Sequence, residues 1–214
     1  MHTVIIPAAG SQERWGHPSV KQLADIGGEA IVERLLRQAK RVTNTVIVVT
    51  HRPAVAKRAW VADAATVNRG PDTALAETLL ASAKYWGDRT TILLGDVVFT
   101  RHAIDRVLNT KHGAMFYRRA DELFAVSFGQ GKQQRMLNAI QQVWELKKIG
   151  KGRGKLVNIH RVFAGFDVTE RKYSSECYTI LNHPTRDFDK HWQYVDYIDR
   201  VVKTGKLDDM PPSL

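Results

Sequence analysis

Ala8-Ala9-Gly10-Ser11-Gln12-Glu13-Arg14-Trp15-Gly16, with Lys21 five residues further on, is the stretch of this chain best suited to phosphate chemistry. The apolar run Thr3 to Pro7, which reads as a buried strand, leads straight into it. A turn of small residues after such a strand exposes backbone N–H groups with no side chain in the way, and a nest of that kind cradles phosphate oxygens. Ala8, Ala9, Gly10, Ser11 and Gln12 are therefore candidate nucleotide-binding residues. Arg14 offers a planar, permanently charged fork, and Lys21 a mobile point charge. Two cations after an amide nest suit a triphosphate whose charge moves toward a departing pyrophosphate, so both are candidate catalytic residues. Neither the three spaced glycines of a dinucleotide fingerprint nor a Gly-Lys-Ser/Thr phosphate loop is present.

Carboxylates supply the complementary half of this chemistry. Asp96 follows the apolar run Thr90 to Leu94 through Gly95, at the carboxyl end of an expected parallel strand, where open α/β sheets bind their ligands. A carboxylate beside phosphates is a hard ligand for Mg²⁺. Asp187 and Asp189 alternate, so an extended backbone turns both to one side. Asp189 is the second candidate metal ligand and equally a helix cap before Lys190. In Gly70-Pro71-Asp72-Thr73-Ala74-Leu75-Ala76, Asp72 or Thr73 would cap a following helix. Lys147 to Lys155 holds five basic residues and three glycines, which suits either a polyanion or a solvated, flexible loop. Ser127 and Cys177 lack a nucleophile elbow, the histidines lack metal-ligand spacing, and Trp144, Trp192 and Tyr194 sit at helical spacing that makes them core residues first.

Ala8-Ala9-Gly10, then Gln12, Arg14, Gly16 and Lys21-Gln22-Leu23, resembles the signature loop of the sugar-phosphate and molybdenum-cofactor nucleotidyltransferases. That loop usually reads Ala-Ala-Gly-x-Gly-x-Arg-Met, then Pro-Lys; Gln12 stands where the second glycine is usual, and Val20 replaces the proline. Gly27-Gly28-Glu29 is similar to the family's next segment, Gly70 to Ala76 to its base-contacting turn, and Thr185 to Tyr194 to its Asp-x-Asp stretch before the last helix. The resemblance implies a three-layer α/β sandwich with a mostly parallel central sheet, of the nucleotide-diphospho-sugar transferase and glycosyltransferase-A kind. It also implies Mg²⁺ on Asp96 and Asp189, and a nucleotide held by the loop with Thr73 and Gly95. The expected reaction is nucleotidyl transfer from a triphosphate to a phosphorylated or hydroxyl acceptor, with pyrophosphate released. Two alternatives stay open: a glycosyltransferase of the same fold using a nucleotide-sugar, with modified DNA among its acceptors, and a non-catalytic relative that binds nucleic acid.

The elements that must position these residues follow from periodicity. The first half alternates apolar strands (3–7, 45–50, 65–67, 90–94) with helices (30–41, 53–62, 73–86), the pattern of a parallel sheet covered by helices. The second half offers strands at 114–117 and 124–128, a helix at 133–146, a strand or helix at 156–163 and a last helix at 191–202. One domain over 1–214 is expected, with residues 1–110 binding the nucleotide and 111–214 the acceptor. The formal charge of +10 and pI near 9.8 favour an anionic partner, DNA and RNA among them. One cysteine excludes an intrachain disulfide and suits a reducing cytoplasm, and no apolar run is long enough for a bilayer.

Overall fold

The computed structural model describes residues 1–10, 14–68, 74–111, 113–119, 122–181 and 186–202. The first half runs β1 (His2–Pro7), α1 (Ile31–Lys40), β2 (Thr45–Thr50), α2 (Pro53–Val61), β3 (Ala65–Asn68), α3 (Leu75–Ser82) and β4 (Arg89–Leu93). The second runs β5 (Val97–Val98), α4 (Arg101–Leu108), β6 (Ala114–Arg119), β7 (Glu122–Gly129), α5 (Gln130–Lys148), α6 (Leu156–Phe163), β8 (Tyr178–Ile180), β9 (Arg186–Asp187) and α7 (His191–Tyr197). Seven strands form one sheet in the order β3-β2-β1-β4-β7-β6-β8, and β7 alone is antiparallel to its neighbours. A two-stranded ribbon pairs β5 with β9.

Both sheet faces are covered, and the side-chain alternation of the strands divides the apolar residues between them. Val4, Ile6, Val46 and Val48 point to the layer of α1, α2, α4 and α7, where Leu35, Leu36, Ala59, Ile104 and Tyr197 pack. Ile5, Ile47, Val49 and Ile92 point to the layer of α3, α5 and α6, against Leu79, Ile140, Val143 and Phe163. Central parallel strands buried on both faces read as continuous β-branched runs, which is why β1, β2 and β4 are visible in the sequence.

The path of the chain creates a switch point. From β1 it steps outward through β2 to β3 with α1 and α2 on one face. It then returns across β2 and β1 to β4 by way of α3 on the other face. The crevice between the carboxyl ends of β1 and β4 lies where strand order reverses, the place open α/β sheets leave for a ligand.

The run 156–163, which the sequence leaves open between strand and helix, is a helix, α6. Other elements differ from the sequence expectation. Helix α4 was not expected, although Thr100 caps it by accepting from the Ala103 N–H at 3.3 Å and its apolar residues repeat at helical spacing. Strands β5, β8 and β9 are too short for their pattern to stand out. Trp192 is 62% exposed, so helical spacing misassigned it to the core; Tyr194 on the same helix faces inward instead. Trp144 is half-buried against the α5 layer. Among the described residues no helix is long and apolar enough to cross a membrane.

One buried polar group sets an acid limit on the fold. His160 of α6 is fully buried, edge-on to Phe116 at 5.0 Å, with Nε2 3.6 Å from the Cys177 thiol and Nδ1 unpartnered. Burial, with Arg161 and Arg118 nearby, lowers its pKa to about 4. The unfolded chain takes this proton near pH 6.5 and the folded chain only near 4, so stability is full above pH 6.5 and falls as pH drops toward 4. His2, lowered to about 4 by burial and Arg89, adds a loss of the same sign. His160→Phe should therefore recover on the order of 1 kcal/mol of the wild-type loss between pH 7 and 5, read from urea unfolding at the two pH values.

Candidate active site

The exits of β1 and β4 are welded together by one close approach. The Gly95 N–H donates to Pro7 O at 3.0 Å, and a Cβ on Gly95 would lie 2.7 Å from that same oxygen and 3.0 Å from the Ala8 Cβ. Only a residue without a side chain lets the two strand ends touch, which delivers Asp96 to the rim of the β1 loop. On the other side, the Ala8 N–H donates to Val49 O at 2.8 Å, and the Thr50 hydroxyl donates to Ala8 O at 3.1 Å. Ala8 and Ala9 are buried, and the Ala8 amide is already taken, so Ala8 shapes the floor and an anion would be met from Ala9 onward. Gly10 faces open space, since a Cβ there would meet nothing within 4 Å, and its carbonyl accepts from Arg52 Nη2 at 3.2 Å. Ser11, Gln12 and Thr73 lie outside the described residues.

Two ion pairs bridge the crevice. Lys21, in a short 3₁₀ turn (Lys21–Leu23), places Nζ 3.0 Å from Asp96 Oδ2. The lysine side chain is 6% exposed and the aspartate 31%. An ammonium buried that deeply needs a matched anion, and this contact is a charge-assisted hydrogen bond. Arg14 Nη1 lies 2.6 Å from Asp189 Oδ2, with the arginine mostly in solvent. Asp189 is therefore not the cap of α7: Lys190 occupies that position, and Gln193 Oε1 accepts its N–H at 2.9 Å. The antiparallel pairing Val97 to Asp187 and Val98 to Arg186 lays the segment before α7 beside the exit of β4. So the structure gathers Arg14, Lys21, Gly95, Asp96 and Asp189 at one edge, from positions up to 175 residues apart. The side chain of Asp187 is outside the described residues.

Sequence reasoning missed the clasp that holds this arrangement. Trp15 is 2% exposed, its Nε1 donates to Ser19 O at 3.0 Å, and its ring meets His191 and Tyr194 edge-on at 5.1 and 5.9 Å. His17 stacks on His191 at 4.2 Å. The His191 N–H donates to Trp15 O at 3.0 Å, and the Tyr194 hydroxyl donates to Asp25 O at 2.6 Å. A tryptophan directly after the loop arginine was the signal available in the sequence, but its partners on α7 could not be read from it.

The strand exits at the switch point of a mostly parallel sheet, floored by small residues and flanked by a paired lysine and aspartate, have the architecture of an α/β protein with a ligand site at its carboxyl edge. Residues 4–160 match the family model described as the MobA-like NTP transferase domain, and the chain belongs to that family; it is an enzyme of the nucleotidyltransferase type. Among solved structures, it is similar to CTP:phosphocholine cytidylyltransferase from Streptococcus pneumoniae, at 12% identity over 92% of this chain and 98% of that one, with a TM-score of 0.69. It is also similar to a nucleotidyl transferase from Methanothermobacter thermautotrophicus, at 16% identity over 95% and 99%, with a TM-score of 0.62. Identities this low speak for the shared fold alone. No curated protein matches the chain.

The Lys21–Asp96 pair has a stability consequence. Asp96→Ala leaves the buried ammonium without its carboxylate, which costs about 1–3 kcal/mol, less than for a fully buried pair because Asp96 reaches solvent. Lys21→Met combined with Asp96→Ala should regain most of that loss. A double-mutant cycle by urea denaturation measures it, and simple additivity would mean that the pair contributes nothing.

Proposed function

We propose that the protein transfers a nucleotidyl group from a magnesium-bound nucleoside triphosphate to a phosphorylated or hydroxyl acceptor, releasing pyrophosphate. The observation that carries this reading is the contact of Lys21 with Asp96 at the switch-point crevice, a cation for phosphate beside a hard carboxylate. In the reaction, an acceptor oxygen attacks the α-phosphorus in line. The bond from that phosphorus to the bridging oxygen of the β-phosphate breaks; a hydroxyl acceptor loses its proton to solvent, and a phosphate dianion acceptor has none to lose. Backbone amides from Ala9 to Gln12 would hold the phosphates, with Gly95 and Thr73 at the nucleoside side. Arg14 and Lys21 would stabilise charge building on the pyrophosphate.

The donor set fits a divalent cation. Asp96 and Asp189 are hard oxygen ligands, and each already holds a positive group, Lys21 Nζ or Arg14 Nη1, in the place an ion's charge would take. A bound Mg²⁺ would neutralise phosphate charge, with water and phosphate oxygens completing its shell. Lys21 and Arg14 would then turn from the carboxylates to the phosphates. In this reading residues 1–110 take the nucleotide and 111–214 an anionic acceptor, and the single cysteine suits a reducing cytoplasm.

Product analysis tests the reaction. The protein, Mg²⁺ and each of ATP, CTP, GTP and UTP are incubated with a panel of sugar phosphates and phosphorylated alcohols. Pyrophosphate formed only with both substrates present is the expected result. Release of a nucleoside diphosphate from a nucleotide-sugar would overturn it in favour of glycosyl transfer. Lys21→Ala should lower kcat by on the order of a hundredfold, as for loss of one preorganised charge-stabilising group.

A further inference from the structure

The glycine-rich turn between α5 and α6 is not a loose loop. Strand β7 ends at Gly129, paired with Arg89 at the start of β4, on the sheet edge opposite the crevice. Helix α5 is nineteen residues long, and at about 1.5 Å per residue it carries the chain back to the crevice edge. There Gly154 O accepts the Ala76 N–H at 3.0 Å, in the first turn of α3. Gly154 is buried with φ +67°, and a Cβ on it would lie 2.9 Å from the Cβ of Ala74. Gly152, at φ +105°, packs so that a Cβ would meet Val168 Cγ2 at 3.2 Å. Val168 O in turn accepts from Asn158 Nδ2 at 3.2 Å, and Asn158 Oδ1 accepts the Lys155 N–H at 3.2 Å. Gly150, at φ +77°, borders open space.

The first turn of α3 lies at the carboxyl edge of the sheet. It follows β3, whose carboxyl end lies on the same edge as those of β1 and β2, and it begins the crossover that makes the switch point. The first amides of a helix have no partner within the helix, so whatever meets them decides how that end sits. Here the partner is Gly154 O.

We propose that Gly154 is a positioning residue for the nucleotide: clipped to Ala76 and packed on Ala74, it fixes the height of the first turn of α3 beside the nucleoside. This rests on the proposed nucleotide site. Gly154 touches no substrate; it acts through Ala74 and Ala76. A side chain at Gly154 pushes that turn away from its seat, which weakens triphosphate binding and leaves the groups that act on the phosphates in place.

Kinetics of three variants test the clip, with the triphosphate and acceptor that the wild type turns over. Gly154→Ala should raise KM for the triphosphate by about tenfold or more, the scale of a sub-ångström to one-ångström misplacement, while kcat and the acceptor KM stay within about twofold. Gly150→Ala imposes the same left-handed strain without touching α3 and should leave the triphosphate KM unchanged. Ala74→Gly added to Gly154→Ala removes the clash and should restore most of the lost affinity. Equal KM values for Gly154→Ala and Gly150→Ala, or no rescue by Ala74→Gly, would overturn the clip while the nucleotidyltransferase reading stood. A wild type that releases no pyrophosphate from any of the four triphosphates would instead remove that reading, and the clip with it. If Gly154→Ala fails to fold, Ala76→Pro deletes the donated N–H in a first turn that tolerates proline. An unchanged triphosphate KM in that variant would overturn the clip as well.

Discussion

A buried ammonium must have an anion beside it, and in this protein that requirement joins the two strand exits on which the site stands. Lys21 reaches inward from the loop after β1, and Asp96 comes from the end of β4. Their contact depends on Gly95, whose missing side chain lets β4 end against Pro7 and Ala8. Enlarging that glycine would displace the carboxylate; removing the carboxylate would take away the anion 3.0 Å from the lysine. Packing and electrostatics are thus one constraint, and the geometry of the crevice follows from it.

The second constraint is closure of the chain on itself. The loop after β1 is long, and among its described residues the only helical turn is the short 3₁₀ one, so their order comes from elsewhere. Helix α7 supplies it through the Trp15, His17, His191 and Tyr194 rings, two hydrogen bonds to the loop backbone and the Arg14–Asp189 pair. Edge-on ring pairs of this kind contribute about 0.5–1.5 kcal/mol each beyond their burial. Exposed ion pairs contribute less, so the aromatic clasp holds the loop and the Arg14 pair aligns it. The same clasp brings Asp189 to the side of the sheet where Asp96 ends.

On the opposite sheet face the α5–α6 turn does for α3 what α7 does for the β1 loop. Each is a late segment of the chain that fixes an early one at the carboxyl edge, and each uses backbone carbonyls or N–H groups as the tie. The first hundred residues consequently supply the floor and the Lys21–Asp96 pair, and the second hundred hold them in shape and add Asp189. A basic, glycine-rich composition suggested either a polyanion site or a solvated loop at Lys147 to Lys155; Lys148, Lys151, Arg153 and Lys155 are exposed, while Gly152 and Gly154 are where the turn meets Val168 and Ala74.

The sequence by itself determined what depends on neighbours along the chain. Two-face burial writes β-branched runs, so β1, β2 and β4 were legible, and the small-residue turn with Arg14 and Lys21, and Gly95-Asp96 after β4, stood out at the strand ends. The helical period located α1 and α5, and overlooked α4 despite a Thr100 cap. Tertiary structure alone decided the rest. The pairing of β5 with β9 is two residues long, too short for any period, yet it sets the last segment beside Asp96. Whether Asp189 capped a helix or met Arg14 turned on where the chain began α7, a choice of one residue made by Gln193 and Lys190. Trp192 and Tyr194 are two residues apart on one helix, so they face different ways, and only the position of Trp15 fixed which of them packs inward. Contacts across such separations arise from packing the whole chain, and no local pattern of residue types encodes them.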